Sequence, residues 1–276
     1  MKIYFDESED QAKTLFLVGA IFIYGEENIN LLREAINKLK NENSFTDGKG
    51  QPREIKYNKI LTDKDILVAK KAIDLFFANK NTYFRCCVVP WREQDLFKFG
   101  RKYQPLKLKK AILYTNTTKK LIKLGIDGFV NAVLIYDDLV RCKGDKFEEI
   151  IETSFGRTAL SSDGNRSPII KNIASAKSNL DINNSVQLTD LILGCVLNQN
   201  RPASKQKNKV RDYLIKKLGV NDLSRSTWIN KSCPADERGI GPKFYIHYLN
   251  IDELTVNKKS RKKIRMKRKN NLNRSR

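Results

Sequence analysis

An uninterrupted apolar stretch near the N-terminus reads Leu15-Phe16-Leu17-Val18-Gly19-Ala20-Ile21-Phe22. Such a run of apolar and small residues is typical of a strand that is buried on both faces of a sheet. A shorter strand is predicted just before it, at residues 2–6, and it ends at Asp6. The polar connection between the two strands, residues 7–13, is long for a tight hairpin. We expect this strand pair to begin the sheet that organises the fold.

Strands and helices alternate after this pair. Apolar residues at helical spacing predict helices at 27–42, 63–79, 106–124, near 145–154, 185–199 and 204–218. Further strands are predicted at 83–89, 130–137, 169–176 and 243–250. This order indicates one α/β domain at residues 1–256, with helical insertions and a mixed sheet flanked by helices. The remaining residues, 257–276, are too charged to fold alone and are predicted to form a disordered basic tail.

The chain is strongly basic. It has 53 Lys and Arg against 31 Asp and Glu, for a net charge of +22, and residues 257–276 hold 11 of the basic residues and no acidic one. A field of this sign attracts nucleic acid or an anionic membrane surface. Nucleic acid, either DNA or RNA, is the favoured partner because no basic amphipathic helix with an aromatic face is present; a protein partner is left open. The tail residues predicted to bind phosphates are Lys258, Lys259, Arg261, Lys262 and Lys263, the alternative being a solvated tail.

Several classes of protein are disfavoured by composition. No segment approaches the roughly eighteen uninterrupted apolar residues that would span a bilayer, and the N-terminus reaches Asp6 too early for a secretory signal. The five cysteines are odd in number, fit no zinc spacing and are interpreted as reduced thiols of a cytoplasmic protein. The single histidine, His247, excludes a site with several histidines and disfavours Ser-His or Cys-His catalysis.

Four acidic residues lie at the edge of apolar segments or inside them, where an ionised side chain is unfavourable: Asp6, Glu54, Asp137 and Asp190. A carboxylate removed from water either takes up a proton or needs a cation. Asp190 is the most informative, because its helix is apolar on two sides and is therefore predicted to be buried. Asp6 and Asp137 each end a strand, where open α/β sheets place their sites. The alternatives are a turn or cap role for Asp6 and Asp137, and capping or pairing with a buried cation for Asp190.

The chemistry of phosphodiester hydrolysis gives a reason for such a cluster. Two magnesium or manganese ions about 4 Å apart can activate a water and stabilise the leaving oxygen, and magnesium prefers hard oxygen ligands. Asp137 and Asp138 point to opposite faces; Asp137 is favoured because it ends the Val133 and Ile135 face, and Asp138 remains the alternative. Lys56 is placed to neutralise charge on a phosphate, or is simply a solvated surface lysine.

These residues resemble the motifs of the family known as domain of unknown function 3800. The resemblance covers about residues 1–250 and rests on Asp6-Glu7-Ser8 after a short strand, an apolar second strand, Glu54-Ile55-Lys56, an aspartate that ends a later strand, and Gln187-Leu188-Thr189-Asp190-Leu191. One departure is that the family's first motif usually continues with Gly and Asp, whereas Glu9 and Asp10 follow here.

The resemblance implies a ribonuclease H-like fold, whose members use clustered acids and divalent metals to cut or join nucleic acid. It implies Asp6, Glu54, Asp137 and Asp190 as metal ligands, with Glu7 as a fifth. Members of the family are often met in mobile or antiviral defence contexts in bacteria. We therefore predict a magnesium- or manganese-dependent nuclease. The alternative is a non-catalytic nucleic-acid-binding protein or a nuclease-like partner subunit. A nucleotide-using phosphotransferase is disfavoured because no Gly-x-x-x-x-Gly-Lys loop is present.

Overall fold

The computed structural model describes residues 1–126, 131–137, 142–155, 169–176, 183–200, 203–229 and 243–255. The strands are β1 (Lys2–Glu9), β2 (Leu15–Ile23), β3 (Thr82–Pro90), β4 (Asn131–Asp137), β5 (Ile169–Ala176), β6 (Thr227–Ile229) and β7 (Phe244–Tyr248). The α-helices are α1 (Glu26–Glu42), α2 (Asp63–Ala78), α3 (Leu106–Gly125), α4 (Phe147–Phe155), α5 (Asn184–Leu197), α6 (Lys205–Leu218) and α7 (Ile251–Leu254). Among these helices none has the length and apolar character needed to cross a membrane.

The seven strands within the described ranges form one mixed sheet in the order β5-β4-β1-β2-β3-β7-β6. Strands β1, β2 and β3 are antiparallel neighbours, whereas β4 runs parallel to β1 and β5 runs parallel to β4. Strand β7 is parallel to β3, and the short β6 pairs antiparallel with it. The predicted α/β class with a mixed sheet flanked by helices is therefore confirmed.

The helices cover both faces of the sheet. Helices α1, α2, α5 and α6 share one apolar cluster with strand residues such as Tyr4 and Leu17. Helices α3, α4 and α7 share a second cluster with strand residues such as Phe5 and Val18. Strand β2 contributes alternate residues to both clusters, which confirms that it is buried on both faces. The α5 face and the α3 face are named below after these two helices.

Strand β1 is longer than predicted. It continues past Asp6 to Glu9, because β2 supplies backbone partners as far as the pair Glu9 and Phe16. The carboxylate of Asp10 then closes the hairpin by accepting the backbone N–H groups of Thr14 and Leu15, at 2.7 and 2.6 Å. Pairing of β1 with β4 stops earlier, at Phe5. Asp6 is thus inside the hairpin but just beyond the last pair with β4.

Candidate active site

Helix α5 is held close against β1 and β2. The Thr189 hydroxyl lies 3.1 Å from the carbonyl oxygen of Tyr4 and 2.8 Å from that of Ser185, so its one proton is shared between the strand and the helix. Gly19 lies opposite Asp6 in the hairpin, and a Cβ atom there would be only 2.8 Å from Leu193 Cδ1. The missing side chain therefore lets the helix approach the sheet beside Asp6. This close approach carries Asp190 toward the carboxyl end of β1.

The segment that carries Glu54 and Lys56 is attached to α5 by two hydrogen bonds. The backbone N–H of Ile55 donates to Gln187 Oε1 at 3.0 Å, and the backbone N–H of Tyr57 donates to Asp190 Oδ2 at 2.9 Å. Gln187 and Asp190 are three positions apart, so they share one side of the helix. In an extended backbone the N–H groups of residues i and i+2 point the same way, so those of Ile55 and Tyr57 can both reach this side of the helix. One oxygen of Asp190 therefore has a structural role.

Gly194 completes this contact one helical turn further on. A Cβ atom at Gly194 would be 2.4 Å from the Cβ of Tyr57, closer than any real contact allows. Tyr57 is itself buried, and its hydroxyl donates to the carbonyl of Lys207 on α6. The segment is thus fixed between α5 and α6. The side chains of Glu54 and Lys56, which alternate in sequence with the anchored residues Ile55 and Tyr57, form ion pairs beside the sheet.

Lys56 lies among the acids. Its Nζ is 3.6 Å from Glu54 Oε1 and 3.5 Å from Asp137 Oδ2, and Lys59 also forms an ion pair with Glu54, at 2.5 Å. Burial lowers the pKa of Lys56, but the carboxylates of Glu54, Asp137 and Asp190 raise it by more, so that the pKa is above its usual value. The ammonium group is therefore held charged between segments that are distant in the sequence.

Asp6 is buried, with 8% of its surface exposed, and accepts the backbone N–H of Glu7 at 2.9 Å. Its pKa is raised well above the usual range by burial and, next, by the negative charges of Asp190, Glu7 and Asp137. The pKa of Asp190 is also raised by burial, although the Tyr57 N–H and Lys56 oppose the rise. Two carboxyls are therefore placed where ionising both is unfavourable unless further positive charge arrives.

Asp190 marks an opening in an otherwise enclosed helix. Every other residue from Asn184 to Val196 is buried, whereas Asp190 is partly exposed. Asp137, at the end of β4, and Glu54 are also partly exposed, with 21% and 13% of their side chains accessible. The acids are thus lined up at a place that solvent or a ligand can reach.

The structure brings together five of the residues predicted from the sequence: Asp6, Glu54, Lys56, Asp137 and Asp190. We call these five side chains, the four acids and the lysine among them, the carboxylate group. Glu7 is separated from them because it alternates with Asp6 along β1, and it lines a cavity on the α3 face. Asp138 and the tail residues Lys258, Lys259, Arg261, Lys262 and Lys263 lie outside the described residues.

Sequence reasoning missed the residues that position the group. Gln187 is fully buried and holds the backbone of Ile55. Gly19 and Gly194 make room for the close contacts of α5. One signal was present, since a glutamine three residues before Asp190 on a buried helix needs a polar partner of its own.

The four acids offer carboxylate oxygens, which are the donors that a hard divalent cation prefers. Within the described residues, however, no group of three or more His, Cys, Asp or Glu side chains is arranged so that it could hold a metal ion. Within the described residues, Lys56 contacts Glu54 and Asp137, and Lys59 contacts Glu54. No protein-family model matches the chain, and no curated protein matches it significantly.

Proposed function

We propose that this protein is a metal-dependent nuclease that hydrolyses nucleic-acid phosphodiesters at the carboxylate group. The observation that carries the proposal is the convergence of Asp6, Glu54, Asp137 and Asp190 from four distant segments. Burial first, and then the negative charges of neighbouring acids, raise the pKa values of Asp6 and Asp190, so ionised carboxyl groups at these positions lower the stability of the fold. Carboxyl groups that lower the stability of the fold and converge at an accessible edge of the sheet are candidates for function.

The fold supports this proposal. Strands β1 and β4 run parallel and are adjacent, so their carboxyl ends deliver Asp6 and Asp137 to the same edge of the sheet. A mixed sheet of this kind is compatible with a ribonuclease H-like fold, and we propose that fold and membership of the domain of unknown function 3800 family. The net charge of +22 favours a polyanionic substrate.

The side chains have separate parts in this proposal. Asp6, Glu54, Asp137 and Asp190 would hold magnesium or manganese, and two such ions would activate a water and stabilise the leaving oxygen. Gln187 and the Tyr57 N–H keep the Glu54 segment in place. Lys56, once its carboxylate partners are engaged elsewhere, is positioned to contact a phosphate oxygen.

A second candidate is a non-catalytic nucleic-acid-binding protein with a nuclease-like fold. It is favoured by the contacts that already engage the acids: Lys56 with Glu54 and Asp137, and the Tyr57 N–H with Asp190. In that case the group is an internal ion-pair network, and divalent ions add nothing.

A cleavage assay separates the two. End-labelled single- and double-stranded DNA and RNA are incubated with the protein in magnesium, manganese or EDTA. We expect cleavage with metal, none in EDTA, and a loss of about a hundredfold or more in Asp190→Asn. Asparagine keeps an oxygen that can accept the Tyr57 N–H, so the variant should fold.

The matched control is Asp74→Asn, which makes the same charge change at an exposed ion pair between α2 and α6. Its cleavage rate should equal that of the parent protein. Absence of cleavage on every substrate with either metal would favour the second candidate. Equal cleavage rates for the Asp190 and Asp74 variants would instead contradict the assignment of the cleavage site to the carboxylate group.

A further inference from the structure

A surface patch around the start of α3 combines exposed rings with exposed cations. We call it the aromatic-basic surface, and its members are Phe97, Lys98, Arg101, Lys102, Tyr103 and Lys107, all exposed. Phe97 is 65% exposed and Tyr103 is 77% exposed. Rings left this open to water gain nothing for the core, so a ligand that covers them would be stabilised by burial.

The charge of the surrounding chain indicates the kind of ligand. Residues 96–126 contain nine Lys and Arg and no Asp or Glu. Lys98 is paired with Asp95 and Asp252, but no ion pair of Lys102 or Lys107 occurs within the described parts of the chain. Cations beside open rings are the combination that binds single-stranded nucleic acid, in which bases stack on the rings and phosphates contact the cations. A duplex hides the faces of its bases and cannot use the rings.

A cavity of about 550 Å³ adjoins this surface on the α3 face. Lys107, Lys110 and Ala111 of α3 form one side of the cavity. The end of β1, with Glu7 and Glu9, forms another side, and Asp145 also lines it. Phe16 and Tyr114 supply aromatic walls. This volume is within the range of small-ligand pockets, and it suffices for one base turned out of the strand.

The cavity also offers an acceptor. Glu9 Oε2 pairs with Lys110 at 2.6 Å, while Glu9 Oε1 is buried and receives no hydrogen bond from the described residues. A buried acceptor without a donor is unfavourable. The exocyclic amino group of a base is a donor that would satisfy it.

The cavity and the carboxylate group share strand β1. Asp6 faces α5, whereas Glu7 and Glu9 alternate to the other face of the sheet, where the end of β1 lines the cavity. We propose that the aromatic-basic surface and the cavity together bind single-stranded nucleic acid and present it to the carboxyl end of β1, with one unstacked base in the cavity. The inference deepens the proposed nuclease function by naming its substrate class, and it rests on that function only for what happens to the strand after binding.

Binding is measured in EDTA, so that no cleavage occurs, by fluorescence anisotropy with a labelled 20-nucleotide single strand and the matching duplex. Tyr103→Ala should weaken binding of the single strand about tenfold and binding of the duplex less than about twofold, because stacking is available only to unpaired bases. Tyr103→Phe keeps the ring and should bind as the parent does. Leu61→Ala removes an apolar side chain that is 67% exposed elsewhere and is the matched control.

Ala111→Leu tests the cavity. Leucine is a good helix former, so α3 is kept while the cavity is filled. Single-strand affinity should fall about tenfold, with duplex affinity unchanged. Lys107→Ala should reduce the salt dependence of single-strand binding by about 0.7 in the slope of log K against log salt.

Equal losses on single strand and duplex for Tyr103→Ala, or unchanged single-strand affinity in both Tyr103→Ala and Ala111→Leu, would overturn the inference. The two proposals fail separately. Selective loss of single-strand binding without any cleavage by the parent supports this surface and removes the nuclease. Cleavage that depends on Asp190 but not on Tyr103 or Ala111 supports the nuclease and overturns the proposed single-strand binding surface.

Discussion

Asp6 and Asp65 are both buried carboxylates, with 8% and 3% of their surfaces exposed, yet their surroundings differ completely. Asp65 is in the first turn of α2, where it accepts the N–H groups of Leu61 and Thr62 and pairs with Arg53 at 3.0 Å. Burial raises the pKa of Asp65, but these contacts lower it by more, so the net shift is downward. Asp6 accepts the Glu7 N–H, and the negative charges around it add to the effect of burial and raise its pKa.

The difference shows that burial alone does not tell what an acid is for. Asp65 is stabilised by donors that the chain itself provides, as expected of a helix cap. Asp6 is surrounded by charges of its own sign, so the folded protein tolerates it at a cost. A carboxylate of the second kind is the better candidate for binding a cation.

Divalent-ion binding gives the largest expected contrast between the two acids. After dialysis against EDTA, manganese is titrated into the protein by calorimetry. Asp6→Asn and Asp190→Asn should weaken binding by about a hundredfold, because each removes a charged oxygen ligand. Asp65→Asn should leave the affinity unchanged. Equal affinities in all four proteins, or no binding by the parent, would contradict the assignment of the carboxylate group.

Stability without metal should change in opposite directions at the two positions. Asp65→Ala should lower the free energy of unfolding by about 2 kcal/mol, since it removes the cap and leaves Arg53 without its partner. Asp6→Asn should raise it by about 1 kcal/mol in EDTA, because a buried charge among like charges is lost. Urea unfolding followed by circular dichroism gives both values. Destabilisation by both substitutions would mean that Asp6, like Asp65, is held by structural contacts.

Most of the fold follows from local pattern. Apolar spacing located the long elements, including β2 and the buried α5, because their periodicity is strong over many residues. The extension of β1 to Glu9 was missed, since residues 7–9 are polar and are held in the strand only by their partners on β2. The three-residue β6 was missed because it is too short to show any period.

The acids of the candidate site could be predicted from the sequence, but the contacts that position them could not. Asp190 could be found because its helix is apolar on two sides, and Asp137 because it ends an apolar strand. The hydrogen bonds of Gln187 and Asp190 to the backbone at 55 and 57 depend on tertiary contact, which no local pattern encodes. Period-two alternation, already used for Asp137 and Asp138, also separates Glu7 from Asp6.

The close contact between Gly194 and Tyr57 tests whether packing at this point affects stability and manganese binding. Gly194→Ala places a methyl group against the Cβ of Tyr57. The gain of about 1 kcal/mol in helix propensity is exceeded by an overpacking cost of roughly 1–3 kcal/mol, so a net loss of about 1 kcal/mol is expected. Manganese affinity should fall with it, because Tyr57 positions Asp190. Gly48→Ala, where a Cβ meets nothing within 4 Å, is the control and should change neither quantity.

The smallest expected effect is the pH dependence of the stabilisation by Asp65. Its direction follows from the sign of the pKa shift. Because the pKa of Asp65 is lower in the folded protein than its unfolded value of about 3.9, its stabilisation is complete above that value and is lost as the pH falls through the folded pKa. The difference in unfolding free energy between the parent and Asp65→Ala, measured in urea from pH 7 to pH 2.5, should therefore stay constant down to about pH 4 and narrow below it by about 1 kcal/mol. A difference that grows on acidification would imply a raised pKa at Asp65, and the contrast with Asp6 would disappear.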